Sequence, residues 1–439
     1  MRFLQFVKAS GLIGLIEIGC NKGDCRMKGR YSIITVVCLY VVIFSFGLLS
    51  EPKTKEQCPQ PLEISPYDIL LEAETPNSPR GIYVVHFLER KSSPQEIHAE
   101  VRLLIPRGQR PRWSPRRQYI LYECDGRIHV LERKTGKIVS QRGLMRGYPV
   151  YGWGPDDNKI LLGSDRYIET QGKFTRTVLG FRVAWKDNWD DWTEDNLGDT
   201  IGFAVYGITF HHSKLADLWL GNPTLSPDGK RCAFEAYRPV SDYGRSYSKI
   251  YTIEWVEPPK ESKDMEYLPI QRLTNLPDDL LEVNPKWSPD GKWIAFEVIN
   301  PKALSHQVYI ASPDGSIVKP IPMPRSYGNK YKIVKWFRKS PKLLICIERI
   351  NEIINTNLHE FGVIDINTPA NSRVIFCETN IGLIALSPND NILAVYDAYA
   401  VNFQYATSLR LIEIESDNPS TSRIVRGFPD NIIVYWMDW

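Results

Sequence analysis

The sequence lacks the signatures that most common enzymes carry. It has no G-x-S-x-G elbow, no P-loop, no G-x-G-x-x-G and no H-E-x-x-H. Those absences exclude the usual serine-hydrolase, nucleotide-binding and zinc-peptidase mechanisms. None of its eight cysteines forms a C-x-x-C pair, so a zinc ribbon or thioredoxin-like centre has no support. An excess of one charge is missing too: the 439 residues carry a formal net charge of +3. Six basic side chains crowd into residues 1–30 against Glu17 and Asp24, leaving 48 basic and 49 acidic side chains beyond them. A body that neutral projects no field for nucleic acid. Ala-rich runs are few, whereas 22 Tyr, 16 Phe, 12 Trp and 31 Pro favour strands and turns over helices.

Only one long apolar run is present. Tyr31 to Ser50 holds 20 residues without a charge, enough at 1.5 Å per residue to cross a hydrocarbon core of about 30 Å. Lys28 and Arg30 precede it, so the positive-inside bias places everything after residue 50 across the membrane. The run ends Gly47-Leu48-Leu49-Ser50, a poor cleavage site, and both a signal peptide and a transmembrane anchor remain open. Residues 1–30 form a basic N-terminal segment. A start at Met27 gives a compact leader, which makes residues 1–26 a candidate over-extension of the start. Cys58, Cys124, Cys232, Cys346 and Cys377 follow the run, an odd number at irregular spacing and not a disulfide framework. Cys232 and Cys346 lie in apolar strand patterns and read as small buried hydrophobes.

One element recurs. Trp287-Ser288-Pro289-Asp290-Gly291-Lys292-Trp293-Ile294-Ala295-Phe296 returns as Leu225-Ser226-Pro227-Asp228-Gly229-Lys230-Arg231-Cys232-Ala233-Phe234. A looser copy runs Leu386-Ser387-Pro388-Asn389-Asp390-Asn391-Ile392-Leu393-Ala394-Val395, and weaker ones start at Trp113, Trp153 and Trp336. Pro presets φ for a turn, Asp or Asn bonds its own backbone, and Gly supplies φ > 0. Each copy predicts an antiparallel hairpin whose large apolar residue anchors a core. Further strand-like stretches follow: Arg127–Leu131, Lys137–Gln141, Lys249–Trp255, Pro269–Leu273, Gln307–Ala311, Ser316–Ile321, Leu409–Ile414 and Arg423–Arg426. Ser312-Pro313-Asp314-Gly315 falls between two of them and reads as a turn.

Four strands per repeat predict an all-β propeller. Phe428–Trp439 aligns with Leu276–Trp287, so Trp439 takes a seventh anchor position. The strands missing after it appear at the front, at Asp68–Glu74, Ile82–Leu88 and Ile97–Leu104. The expected layout is one N-terminal hydrophobic helix over 31–50, a linker over 51–67, and a propeller over 68–439. Its C-terminal strand 433–439 completes the first blade and leaves no open edge. Seven blades fit best; six is the alternative if the Trp153 or Trp336 unit is not a blade.

The SPDGK hairpins followed by Ile294-Ala295-Phe296 or Cys232-Ala233-Phe234 resemble the WD40-like repeats of TolB-type propellers. Similar repeats occur in the propeller domains of prolyl-oligopeptidase-like enzymes and in oligogalacturonate lyases. The resemblance covers about residues 68–439 and implies the fold more than a function, because these repeats are structural. Residues 51–67 are too short to match the helical N-terminal domain of TolB.

Two groups of residues are candidates for chemistry. Oligogalacturonate lyase-like propellers hold a metal through channel histidines, and His86, His129, His306 and His359 lie in or beside strands of different repeats here. No H-x-H or matched acidic spacing supports a metal. Between Ser164 and Leu225 the repeat is longer than elsewhere, and the excess reads as an inserted loop or hairpin on one face. It holds Trp185, Asp187, Trp189, Asp190, Asp191, Trp192, Glu194 and Asp195, with His211, His212 and Trp219 beyond. Trp faces stack on sugars or anchor a protein partner, so Trp185, Trp189, Asp190, Asp191, Trp192 and Trp219 are the candidate binding residues. The carboxylates could also ligate Ca²⁺, though not with EF-hand spacing. The expected function is a non-enzymatic, extracytoplasmic protein-interaction module, secreted or membrane-tethered, monomeric in its propeller and without a required cofactor. The alternatives are a lyase-like carbohydrate-active propeller with a channel metal and a structural component of an envelope assembly.

Overall fold

The computed structural model describes short strands within residues 3–26, and residues 64–88, 96–139, 150–170, 173–185, 206–207, 218–241, 244–254, 270–323, 330–351, 356–369, 372–378, 381–401, 404–414 and 422–439. The chain divides into two compact units, Met1–Cys58 and Pro59–Trp439. In the first, Phe3–Leu4, Glu17–Asn21 and Asp24–Arg26 form one small antiparallel sheet and Val7–Ala9 pairs with Leu12–Gly14. The apolar run 31–50 lies outside the described residues. Among those described, no helix is long and apolar enough to cross a membrane.

The second unit is all-β among its described residues and is built from successive antiparallel meanders. Sheet 1 takes its first strand from the C-terminus: Ile433–Asp438, then Ile69–Thr75, Ser78–Phe87 and Glu96–Pro106. Sheet 2 is Gln109–Trp113, Tyr119–Cys124 and Arg127–Glu132, with a bridge from Leu131 to Ile138. Sheet 3 is Val150–Trp153, Lys159–Thr170, Lys173–Trp185 and Tyr206–Gly207. Sheet 4 is Trp219–Leu225, Arg231–Ser241, Gly244–Glu254 and Ile270–Arg272. Sheet 5 is Leu281–Trp287, Ile294–Asn300, Ser305–Ala311 and Val318–Pro320. Sheet 6 is Lys330–Trp336, Lys342–Asn351, Thr356–Asp365 and Arg373–Glu378. Sheet 7 is Ile381–Leu386, Ile392–Val401, Gln404–Glu413 and Ser422–Arg426, whose last strand runs parallel to Glu96–Pro106 of sheet 1. The weak copies at Trp113, Trp153 and Trp336 therefore each end a first strand.

The turn after each anchor explains why the repeat folds this way. In sheet 5, Ser288 N–H donates to Trp293 O at 2.8 Å and Gly291 N–H to Ser288 O at 3.0 Å. The Ser288 hydroxyl donates to Asp290 at 2.6 Å and accepts from Trp293 N–H at 2.9 Å. Gly291 sits at φ +69°, where a β-carbon is strained. Ser226, Ser387 and Ser114 repeat the pattern. The sequence reading gave this turn to Pro, Asp and Gly; the serine hydroxyl is its hub. Ser312–Gly315 is likewise a turn, between the third and fourth strands of sheet 5.

Alternation along the strands buries one side chain row on each face, and every apolar cluster lies between two successive sheets. Trp113, Ile120 and Leu70 join sheets 1 and 2; Leu343, Ile310 and Trp336 join 5 and 6; Leu393, Leu344 and Phe361 join 6 and 7. Ile69, Leu411 and Trp439 join sheet 7 to sheet 1. Each such fully buried side chain stabilises by about 1.5–3 kcal/mol relative to exposure. Anchor indoles add bonds between sheets: Trp153 Nε1 donates to Arg112 O at 3.2 Å and Trp336 Nε1 to Lys286 O at 2.9 Å.

Candidate functional site

The first strands of the sheets lie side by side. Trp219–Leu225 neighbours Leu281–Trp287, which neighbours Lys330–Trp336, and Ile433–Asp438 neighbours both Ile381–Leu386 and Gln109–Trp113. Each slips register against its second strand ahead of the anchor. Such a bulge re-aims the side chains around it. Arg110, Asn222 and Asn284 adopt φ of +47°, +47° and +57° at these bulges, and each is followed by a proline, which has no N–H to withdraw from the ladder.

Buried carboxylates hold these bulges. Glu72 accepts from Arg110 N–H at 2.9 Å, and Glu297 from Ile333 N–H at 2.8 Å. Glu235 accepts from Asn284 N–H. Asn222 Nδ2 adds a bond to Glu235 at 2.7 Å and Asn284 Nδ2 one to Glu297 at 2.8 Å. Each staple links the second strand of one sheet to the first strand of the next. In sheet 7 the Tyr396 hydroxyl takes this part, accepting from Val434 N–H at 3.3 Å and donating to Ile432 O at 2.9 Å. In sheet 6 the corresponding residue, ten after the anchor, is Cys346.

In sheets 1, 2, 5 and 6 the residue just before the anchor supplies the charge of this region. It is Arg112, Lys286 and Lys335 in sheets 2, 5 and 6, and Asp438 in sheet 1. Burial holds the three cations below their ordinary ranges. Asp438 accepts from Trp113 N–H at 2.8 Å and lies 3.9 Å from Lys335 Nζ. Arg117, buried in the turn of sheet 2, is pushed down to about 10 by burial and by Arg338, and its Nη2 has no hydrogen-bond partner among the described residues. A cavity of about 310 Å³ opens between the first strands of sheets 3, 4 and 5, lined by Tyr151, Trp153, Asn222, Asn284 and Lys286. Lys286 Nζ makes no hydrogen bond or ion pair with any described residue, though Glu235 and Glu297 lie close enough to favour its charge. A half-buried ammonium beside amides and aromatic faces can take a carboxylate or another anion.

The structure describes only some of the residues singled out from the sequence. Trp185 closes the third strand of sheet 3 opposite Lys159, and Trp219 opens the first strand of sheet 4 opposite Tyr237; these two strands are neighbours. Trp189, Asp190, Asp191 and Trp192 lie outside the described residues, as do Asp187, Glu194, Asp195, His211 and His212. The four candidate histidines all sit on third strands, not on first strands. His86 Nδ1 meets Asp68 at 2.9 Å, His306 Nε2 meets Glu297 at 2.9 Å, and His129 stacks on Tyr122. His359 Nδ1 lies 3.7 Å from Cys346 Sγ. Each histidine thus has partners within its own sheet, and among the described residues no two of them share a donor cluster. Cys346 is buried as expected, but beside a histidine and a carboxylate. Burial pushes its thiol up to about 12, so the Cys346–His359 pair is no activated nucleophile. The sequence reading missed Arg112, Lys286, Lys335 and the staple glutamates, although aligning the repeats on their anchors places them in register.

No family model matches the sequence, and no curated protein matches it. Solved structures do resemble it. A TolB candidate from Agrobacterium tumefaciens is 18% identical, with a TM-score of 0.38 over 64% of this chain and 85% of that one. An oligogalacturonate lyase in complex with manganese is 13% identical, with a TM-score of 0.45 over 78% of this chain and 96% of that one. The oligogalacturonate lyase of Vibrio parahaemolyticus is 12% identical, with a TM-score of 0.43 over 75% and 94%.

Proposed function

We propose that residues 68–439 form a seven-bladed β-propeller that works outside the cytoplasm as a non-enzymatic protein-interaction module. The seven-blade reading rests on the first strand of sheet 1 coming from Ile433–Asp438 and on the apolar cluster between sheets 7 and 1. The extracytoplasmic address rests on the charge-free run 31–50 behind Lys28 and Arg30, which tethers the propeller to the membrane if it is not removed. The observation that carries the binding reading is the pair of cations on neighbouring first strands, Lys286 and Lys335, with Arg112 beside Asp438 on another adjoining pair of first strands. That set fits an acidic segment of a protein partner, with Trp185, Trp189, Asp190, Asp191, Trp192 and Trp219 as a second contact. No bound cofactor is required for this role.

The test is crosslinked capture from native envelope extract with the full chain as bait, beside a Lys286→Ala/Lys335→Ala double variant of unchanged melting temperature. The expected result is a defined partner whose yield falls at least tenfold in the variant and with rising salt, as screened charge pairs do. A reproducible blank, or equal capture by both chains, overturns the reading. A second reading has one observation behind it: Tyr151 and Trp153 line the same cavity as Lys286, a combination that suits an acidic sugar. Cleavage of an acidic oligosaccharide by the full chain, lost in Lys286→Ala, establishes that lyase-like alternative instead.

A further inference from the structure

Sheet 6 departs from its neighbours at one point. Where Glu235 and Glu297 staple sheets 4 and 5 to the next first strand, sheet 6 carries Cys346, whose sulfur turns to His359 Nδ1 at 3.7 Å. Glu348 and His359 are direct cross-strand partners, and Cys346 lies two residues earlier on the same face as Glu348. One donor atom from each of the three lies within 4.8 Å of the others. Lys332 Nζ donates to Glu348 Oε1 at 2.5 Å, which orients the carboxylate and leaves its second oxygen available. Cys346 is buried in the core shared with sheet 7, whereas Glu348 and His359 are partly exposed. The cluster is therefore closed on one side and open on the other.

We propose that Cys346, Glu348 and His359 bind a zinc ion, with water in a fourth position. Thiolate, imidazole and carboxylate are the donor types zinc prefers, and softness of the sulfur argues against calcium or magnesium. Zinc at about 2.0–2.3 Å from each ligand sets donors roughly 3.3–3.8 Å apart. The Cys346–His359 pair already meets that spacing, and a Glu348 oxygen lies within 4.8 Å of both. On binding, the S–H bond breaks, a Zn–S bond forms and the proton leaves to solvent. Lys332 is a positioning residue, comparable to the outer partners that hold metal-ligating carboxylates. The ion ties the second and third strands of sheet 6 where a glutamate ties two sheets elsewhere. This inference is independent of the binding role proposed above.

The test uses the full chain stripped of metal and titrated with Zn²⁺ against a competing chromophoric chelator. One tight equivalent is expected, weakened at least tenfold in Cys346→Ser and in His359→Gln and unchanged in the control Cys124→Ser. X-ray absorption of the zinc-loaded wild-type chain needs no variant, and should show one sulfur and three nitrogen or oxygen ligands. No tight site, undiminished binding in either ligand variant, or a shell with no sulfur or several sulfurs overturns the proposal.

Discussion

Sheets 5 and 6 are neighbours built on the same plan and solve the same packing problem with different chemistry. Both end a first strand on a tryptophan, Trp287 or Trp336, and both bulge just before it. Sheet 5 is tied by buried ions. Lys249, fully buried at its border with sheet 4, donates to Pro277 O at 2.6 Å, Leu280 O at 2.9 Å and Glu282 at 3.1 Å, and Thr274 donates to Glu282 at 2.6 Å. Its second strand sends Glu297 to Ile333 N–H, and a serine organises its turn. Sheet 6 has Tyr331 at the place of Glu282, Cys346 at the place of Glu297 and Phe337 at the place of Ser288. The backbone bond of the turn survives, Phe337 N–H to Lys342 O at 2.9 Å, without a hydroxyl hub. The comparison teaches that the repeat fixes backbone geometry, while the polar staples are exchangeable, and that the exchange in sheet 6 leaves chemistry-bearing side chains in place of structural ones.

The largest effect that tests this contrast is expected from Glu282→Ala. Removing one partner strands the Lys249 charge in the interior and should cost about 3–5 kcal/mol, read by denaturant unfolding. Next comes the pair Glu297→Ala and Cys346→Ala. The first leaves Ile333 N–H, Asn284 Nδ2 and His306 without their acceptor and should cost about 1.5–3 kcal/mol. The second removes only a small buried side chain in metal-free protein and should cost about 1 kcal/mol. Equal losses would dissolve the distinction between stapled and unstapled sheets. Ser288→Ala should lose about 1 kcal/mol of hydrogen bonding, whereas Ser340→Ala in the turn of sheet 6 should stay within about 0.5 kcal/mol.

The smallest effect concerns acid. In sheet 5 the Ser312 hydroxyl, then the Ser316 N–H and hydroxyl, hold the Asp314 carboxyl down at about 2 against an ordinary 3.8. A depressed folded value contributes stability above the unfolded value and loses it as pH falls from about 4 toward 2. Melting temperature followed between pH 5 and 2.5 should therefore fall slightly less steeply in Asp314→Asn than in the wild-type chain. Identical slopes would remove this turn from the acid response.

Much of this architecture was legible in the sequence because turn chemistry is local. Ser-Pro-Asp-Gly specifies its hairpin within a few residues, so Arg127–Leu131, Gln307–Ala311 and Arg423–Arg426 were expected within a residue or two of Arg127–Glu132, Ser305–Ala311 and Ser422–Arg426. The length of the second and third strands was not legible. Those of sheet 3 run 12 and 13 residues and those of sheet 5 only seven, because the extra length is polar and pairs across a long hairpin without an apolar alternation. The site was less legible still. Glu297 and Cys346 matter through partners 36 and 13 positions away, and Lys286 through the bulge before its anchor, and no spacing rule in one strand encodes such a meeting. A tryptophan-rich segment draws the eye in a sequence; a lysine preceding an anchor does not.

The most direct test of the account is to map where a captured partner touches the chain, by crosslinking mass spectrometry on the native complex. Crosslinks concentrated at Lys286 and Lys335, on the first strands, are the result the account predicts. Crosslinks confined to the fourth strands, at Lys319 or Arg423 and their surroundings, with Lys286 and Lys335 as reactive in the complex as in the free chain, would contradict it.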